Sequence, residues 1–395
     1  MTATLSAQSL ALVGGTIYAS PTAEPIRGGA ILIEGGKIAS VGTRAAVKIP
    51  KNIQSIDCFG LTITASFWNS HVHFFERKWS DAAKIPAAEL ARQVEEMTTR
   101  YGFTNAFDLS SLWNNTRALR DRIESGEVPG PRIRSTGPGL IVPNAGLPPD
   151  AVLSAYGSMK VQLPEVADAA QATAASKELL DAGVDGIKLF ASGPSKATLS
   201  DAAIEAAVTE AHRAGKPVFV HPNTTADVAA AVRGGVDIIA HVTPASDPWD
   251  EKLLAAMHQR KVAVIPTFTV FKFNLRHDRV STMDKWLTTG IGQLRVWVAS
   301  GGTLLFGTDG GYSDYDPTDE YLMMAQAGMT FRQILASLTT APAERFGEAQ
   351  HSGTIATGLD ADLAVVRGDP SKNLRALTDV RYTLRAGKII YRASQ

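Results

Sequence analysis

One cysteine, Cys58, stands alone in 395 residues, so the chain has no intrachain disulfide framework and its thiol chemistry suits a reducing compartment. An excess of either charge is missing too: Lys plus Arg number 39 and Asp plus Glu number 39. No basic stripe with interleaved aromatics occurs, which sets nucleic acid aside as a partner. No window reaches the roughly eighteen uncharged apolar residues of a membrane span, and MTATLSAQSLALVGGTIYA has no charged start before an apolar run. The expectation is a soluble, cytoplasmic protein with no membrane partner, one that meets a small molecule and is free to form a homo-oligomer. With 45% hydrophobic and 20% charged residues a sizeable core is available. The length predicts a large domain with a smaller companion.

Two textures divide the chain. From Leu10 to Ile63 the runs LALVGGTIYA, GGAILIEGG, KIASVGT and SIDCFGLTIT read as short strands turned by Gly-Gly pairs. The same texture returns after Gly353 in DADLAVVRGD, VRYTLRAG and KIIYRA. Neither end alone buries a core, so residues 1–65 and 349–395 are expected to join as one small β-sandwich domain. Between them, over 66–348, apolar runs alternate with Ala-rich amphipathic stretches at βαβ spacing. The runs are SFWNSHVHF, FTNAFDL, RIRSTG, GIKLFAS, PVFVHP, IIAHVT, VAVIPTF and TLLFGTD, and eight such repeats predict an α/β fold of the (β/α)₈ TIM-barrel type. An open doubly wound sheet would carry a Gly-rich phosphate turn after its first strand, and none stands there. Two long stretches, Pro138 to Leu163 and Val270 to Gly290, read as irregular loops at the barrel mouth.

The histidines sit where such a barrel does chemistry. His71 and His73, at i and i+2 of one strand, share a face. His221 ends PVFV, His241 ends DIIA, and Asp309 ends TLLFGT, each at a strand tip. An H-x-H pair alone is equally a packed or hydrogen-bonded pair; with the other tips it forms a metal constellation. A carboxylate ending an apolar strand must be solvated, paired or metal-bound. Lys188, enclosed by Ile187, Leu189 and Phe190, is either a lysine that snorkels or pairs with Asp185 or another carboxylate, or a desolvated neutral amine able to add carbon dioxide as a carbamate.

In order and type these residues resemble the amidohydrolase superfamily, in particular its binuclear members with a carbamylated bridging lysine. GGTIYA with GGKIASVG is similar to the family's N-terminal β-domain, and SGTIATGLDADLAVVRGDP to its C-terminal strands. Within the family the texture is most similar to the prolidase-like and imidazolonepropionase-like branch. The resemblance implies two divalent cations, zinc foremost, with His71, His73 and Asp309 on the first and His221 and His241 on the second. Carbamylated Lys188 and a hydroxide would bridge them. It further implies hydrolysis of an amide, peptide-like or cyclic amide C–N bond, with Asp309 carrying the proton to the departing nitrogen. The same site would serve a lactonase or an organophosphate hydrolase, and a scaffold that kept the fold without catalysis is the reading from another class. Two departures stand out. Ala65-Ser66-Phe67-Trp68-Asn69 replaces the usual Pro-Gly entrance to H-x-H. No histidine lies between His73 and His212, and Asn223 occupies the place of a prolidase-like tyrosine, so dipeptide specificity does not follow.

Among candidate substrate contacts are Asn223, His277 in FKFNLRHDRV after strand seven, and Tyr312 after Asp309, with Tyr315 close by. Arg276 and Arg279 read as a carboxylate clamp or as solvated charge. Trp68, Phe74, Phe75 and Trp113 read as an apolar wall or as barrel filling. His212, His258 and His351 fall on helical or tail segments and read as packing or capping residues.

Overall fold

β-branched residues between tight glycine turns produce the strands at the start of the chain. The computed structural model describes residues 9–146, 163–311 and 315–394. It opens with β1 (Leu10–Tyr18), β2 (Ile26–Glu34), β3 (Lys37–Thr43), β4 (Gln54–Asp57) and β5 (Leu61–Ala65). Gly35 and Gly36, at φ 58° and 80°, make the two-residue β2–β3 turn, a left-handed pair that side chains resist.

Eight parallel strands follow: β6 (Phe67–Val72), β7 (Phe103–Asp108), β8 (Arg132–Ser135), β9 (Ile187–Phe190), β10 (Val218–His221), β11 (Ile238–Ile239), β12 (Ala263–Val264) and β13 (Thr303–Leu304). Each falls within one of the eight apolar runs. They pair as β6-β7-β8 and as β13-β12-β11-β10-β9. Backbone bonds reach across both gaps, from Asp185 N to Ser135 O (2.7 Å), Leu140 N to Lys188 O (2.8 Å), Ser70 N to Phe306 O (2.7 Å) and Asp309 N to His71 O (2.9 Å). The architecture is a TIM-barrel-like α/β fold.

Helices return the chain between strands: α1 (Ala87–Met97), α2 (Trp113–Glu124), α3 (Ala169–Asp181), α4 (Asp201–Arg213), α5 (Thr225–Arg233), α6 (Glu251–Gln259), α7 (Phe268–Asn274), α8 (Val280–Ala299), α9 (Thr318–Gln326), α10 (Phe331–Leu338) and α11 (Thr340–Arg345). Many start on a side-chain cap. Asp168 accepts from Gln171 N, Ser200 from Ala203 N and Asp250 from Leu253 N, while Thr224 and Asp227 form a capping box. Each then buries one apolar stripe, as α4 buries Ala203, Ile204, Ala207, Val208 and Ala211. Among the described residues no helix is long and apolar enough to cross a membrane. The stretch Val270 to Gly290, read as an irregular loop, is instead mostly helical, in α7 and α8. Most of the other supposed loop, 147–162, lies outside the described residues.

The chain closes with β14 (Leu363–Arg367), β15 (Val380–Arg385) and β16 (Lys388–Arg392). They extend the first sheet in the order β16-β15-β14-β5-β1-β2-β3, with β4 also on β1. Leu363 faces Ala65 and Val365 faces Ile63 across the seam between the two ends. The hydrogen-bonded network is therefore one eight-stranded sheet, where a sandwich of two was expected. It curls so that Lys37 of β3 bridges to Asp360 beside β14, and Ile31, Ile33, Leu363, Val365 and Leu384 share one core. Curling encloses that core without a second sheet. Arg132 of β8 ties the sheet to the barrel strands, bonding Asp360 at 3.1 Å and also Asp362.

Candidate metal centre

Strand ends place polar side chains where the apolar strand interior gives out. His71 is the penultimate residue of β6, and His73 lies one residue past the strand, its N–H donating to Gly310 O at 2.7 Å. That approach needs Gly311, at φ 105°, because a Cβ there would sit 2.2 Å from His73 O. Asn69 steadies the same tip: its amide donates to Thr308 Oγ1 at 2.9 Å, and its carbonyl accepts from His71 N at 3.3 Å. Lys188, in β9, is 1% exposed. His221 ends β10, and His241 follows β11.

Asp309 draws these strands together. Its Oδ1 lies 2.5 Å from His73 Nε2 and 3.3 Å from His71 Nε2, and its Oδ2 lies 3.8 Å from His241 Nε2. The His221 and His241 rings are 4.4 Å apart, and those of His71 and His241 4.8 Å. His71, His241 and Asp309 each offer a ligand atom within 4.8 Å of the others. The structure thus brings the five strand-tip candidates and Lys188 to one end of the barrel strands.

Burial sets the charge states. Desolvation, reinforced by Lys188 and the neighbouring imidazoles, pushes His71 far below the ordinary histidine value. The same causes push His241 well down, and bring His221 to about 4. Burial lowers the Lys188 amine to about 7, with Asp309 pulling the other way. Burial would raise the Asp309 carboxyl, but His73, Lys188 and His221 together outweigh it and hold it low. At neutral pH the cluster therefore combines bare imidazole nitrogens, an ionised carboxylate and a lysine poised to lose its proton. Asp185, the expected partner of Lys188, instead accepts from Arg120 Nη1 (2.9 Å) and Ser135 N (3.0 Å).

These residues fit a metal. Both ring nitrogens of His71 and the Nδ1 of His73 are buried without a hydrogen-bond partner. Leaving such atoms dry costs about 1–3 kcal/mol each, a penalty that coordination would remove at one nitrogen of each ring. Nitrogen donors beside a carboxylate suit a borderline divalent cation such as zinc.

The cluster floors a cavity of about 270 Å³ walled by Phe75, Ile141, Val142, Phe190, Val270 and Phe271. Of the expected aromatics Phe75 alone belongs to this wall, and it stacks on His73 with centroids 4.6 Å apart. Trp68 packs on Phe346, Phe74 on Trp79, and Trp113 donates to Ala182 O. Asn223 does line the cavity, yet its amide is held by Ser192 O (2.9 Å) while its carbonyl faces His221 Nε2 (3.3 Å). His277 is exposed and off the wall, which corrects its reading as a substrate contact. It follows α7, whose last turn puts Asn274 on the wall instead. Tyr312 lies outside the described residues. Tyr315 turns to Glu76 and Lys78. His212 pairs with Asp237 at 2.8 Å, and His258 with Ser300 at 2.9 Å. Sequence reasoning missed Thr267, whose hydroxyl lies 2.6 Å from His241 Nδ1. Its only sequence signal is a place near the end of VAVIPTF, the apolar run that forms β12.

Residues 62–391 match the amidohydrolase family. Ochratoxinase of Aspergillus niger is 24% identical over 410 aligned positions, which span 93% of this chain and 83% of the relative. Its crystal structure superposes with a TM-score of 0.77 at 22% identity, covering 97% of this chain and 96% of the other. A Xaa-Pro dipeptidase with methionine bound in its active site gives 0.81 at 22% identity, covering 98% and 100%. A prolidase complexed with N-methylphosphonate-L-proline gives 0.79 at 26% identity, with the same coverage. The family match takes in every strand that carries one of the six clustered side chains, and so the chain belongs to the amidohydrolase family and is a hydrolytic enzyme acting on carbon–nitrogen bonds.

Proposed function

We propose that this enzyme cleaves the amide-type bond of a small substrate at a centre of two divalent cations, zinc the first choice. His71, His73 and Asp309 would hold one cation, His221 and His241 the other, and Lys188, carbamylated by carbon dioxide with release of a proton, would bridge them. The observation that carries this reading is the convergence of four imidazoles, those of His71, His73 and His241 buried, with Lys188 and Asp309 on one cavity floor. Two cations so placed supply an acidified water and a polarised carbonyl.

The chain's own groups account for the rest. Asp309, ionised and fixed at φ 58° with its N–H on His71 O, stands to take a proton and deliver it to the departing nitrogen. Phe75, Phe190 and Phe271 offer flat apolar surface to an aromatic or branched group on the substrate, and Asn274 a polar contact at the rim. In this reading β6 to β13 act as one closed barrel over 66–348, with 1–65 and 349–395 as its companion domain.

Two measurements test it. Elemental analysis of the purified protein should find close to two divalent ions per chain, and a panel of anilides, N-acyl amino acids, dipeptides, lactones and phosphotriesters should give hydrolysis of amide members. Asp309→Asn should lower kcat on the preferred amide by about 10³-fold with the fold intact. A folded protein free of metal after loading, or one that turns over only the lactones, would end the proposal.

A further inference from the structure

Thr267 occupies the N-cap position of helix α7, yet it makes no side-chain capping bond to it. Threonine is a favoured N-cap, so its hydroxyl has been diverted. It donates to Pro266 O at 2.8 Å and lies 2.6 Å from His241 Nδ1. Thr267 is also held at φ 52°, a left-handed backbone that a β-branched residue adopts only under constraint, and its side chain is fully buried. The amides it abandons are served from another element. Glu320 of α9, wholly buried, accepts from Thr269 N at 2.9 Å and Thr269 Oγ1 at 3.0 Å.

A hydroxyl has one proton. Given to Pro266 O, it leaves the oxygen free to accept from His241 Nδ1–H, and both bonds are made. Given to His241, it makes only one. Counting bonds therefore puts the imidazole proton on Nδ1 and leaves the Nε2 lone pair bare, on the atom that faces Asp309 at 3.8 Å. That is the tautomer a metal ligand requires.

We infer that Thr267 is a positioning residue which fixes the tautomer and aim of His241, and that Glu320 caps α7 in its place so that the Thr267 hydroxyl is free to do so. The inference rests on the reading of His241 as a metal ligand, but part of its test needs no metal. Protein labelled with ¹⁵N-histidine and stripped of metal reports the His241 tautomer by long-range ¹H–¹⁵N correlation, assigned with His241→Gln. Competition of the same protein with a chromophoric chelator reports Zn²⁺ affinity.

Wild type should show the Nδ1–H form. Thr267→Val, which keeps the shape and deletes the hydroxyl, should mix the tautomers and weaken Zn²⁺ binding about 10–100-fold. Thr267→Ser should restore both. Glu320→Ala should disturb the His241 signals in the same direction, and Glu320→Gln, which keeps an acceptor for the Thr269 amide, should not. Unchanged His241 signals in Thr267→Val, or Thr267→Ser as impaired as Thr267→Val, would overturn the role of Thr267. Unchanged signals in a folded Glu320→Ala would overturn that of Glu320. A wild type with the Nδ1–H form but no Zn²⁺ affinity would instead sink the metal-centre reading and leave the hydrogen-bond assignment standing.

Discussion

The curled terminal sheet and the mouth of the barrel strands bury side chains to opposite ends. In the sheet the core is built of Leu10, Leu12, Ile31, Ile63, Leu363, Val365 and Leu384, and the buried hydroxyls of Thr62, Thr64 and Thr383 each donate to a backbone carbonyl. Its nearby charges are exposed or, like Asp362, bonded to Arg132. At the mouth the buried groups are imidazoles, an amine and a carboxylate, and three ring nitrogens of His71 and His73 have no hydrogen-bond partner. Among the described residues no such unpartnered buried atom falls in the terminal sheet. One region spends its burial on cohesion, while the other carries a standing desolvation cost that only bound chemistry justifies.

Substitutions sharpen that contrast. The largest effect is expected at Lys188→Met, which should cut kcat/KM on the preferred amide by on the order of 10²-fold or more while making the metal-free protein more stable. Burial presses on this amine, and an apolar isostere relieves it by roughly 1–2 kcal/mol. Denaturant midpoints of the stripped proteins measure the stability half, and a metal-free variant less stable than wild type would break the comparison. Leu363→Ala in the sheet should act in reverse. It should cost about 2–5 kcal/mol of stability and leave kcat/KM of the folded fraction within about twofold. Activity lost in step with metal content would show the two regions to be coupled.

Glu320→Gln gives the smallest and most specific effect. Burial lifts this carboxyl from an ordinary 4.5 to about 7, against the pull of the Thr269, Phe268 and Thr267 amides. A raised folded value contributes stability that is complete below about pH 4.5 and is lost as pH climbs through about 7, for a total of up to roughly 3 kcal/mol. The variant cannot titrate, so its stability relative to wild type should improve across that interval and level off above it. Chemical denaturation at several pH values checks this, and parallel pH profiles would refute it.

Much of this was legible from residues alone. Short β-branched runs announce each barrel strand, and a histidine or aspartate ending such a run can only be a tip. That local logic reached five of the six clustered side chains, and the sixth, Lys188, was marked by its apolar neighbours Ile187, Leu189 and Phe190. It failed over Val270 to Gly290, where α8 starts at Val280 with no side-chain cap from Arg279 and contains Gly290 and Gly292. α7 owes its capping to Glu320, about fifty residues away in sequence. Local propensity has no access to a cap delivered by another helix. Two sheets were expected from the terminal strands because alternation reveals faces but not the curl that lets a single sheet cover itself.

The seam that joins β5 to β14 sets a timetable for the nascent chain. Leu61–Ala65 leaves the ribosome early, and its partner Leu363–Arg367 follows roughly 300 residues later. At about 5–20 residues per second that interval is on the order of 15–60 s. Through it one edge of β5 has backbone donors and acceptors exposed and no strand to receive them. The terminal sheet is therefore a clasp that shuts last, after the catalytic strands it braces have been made.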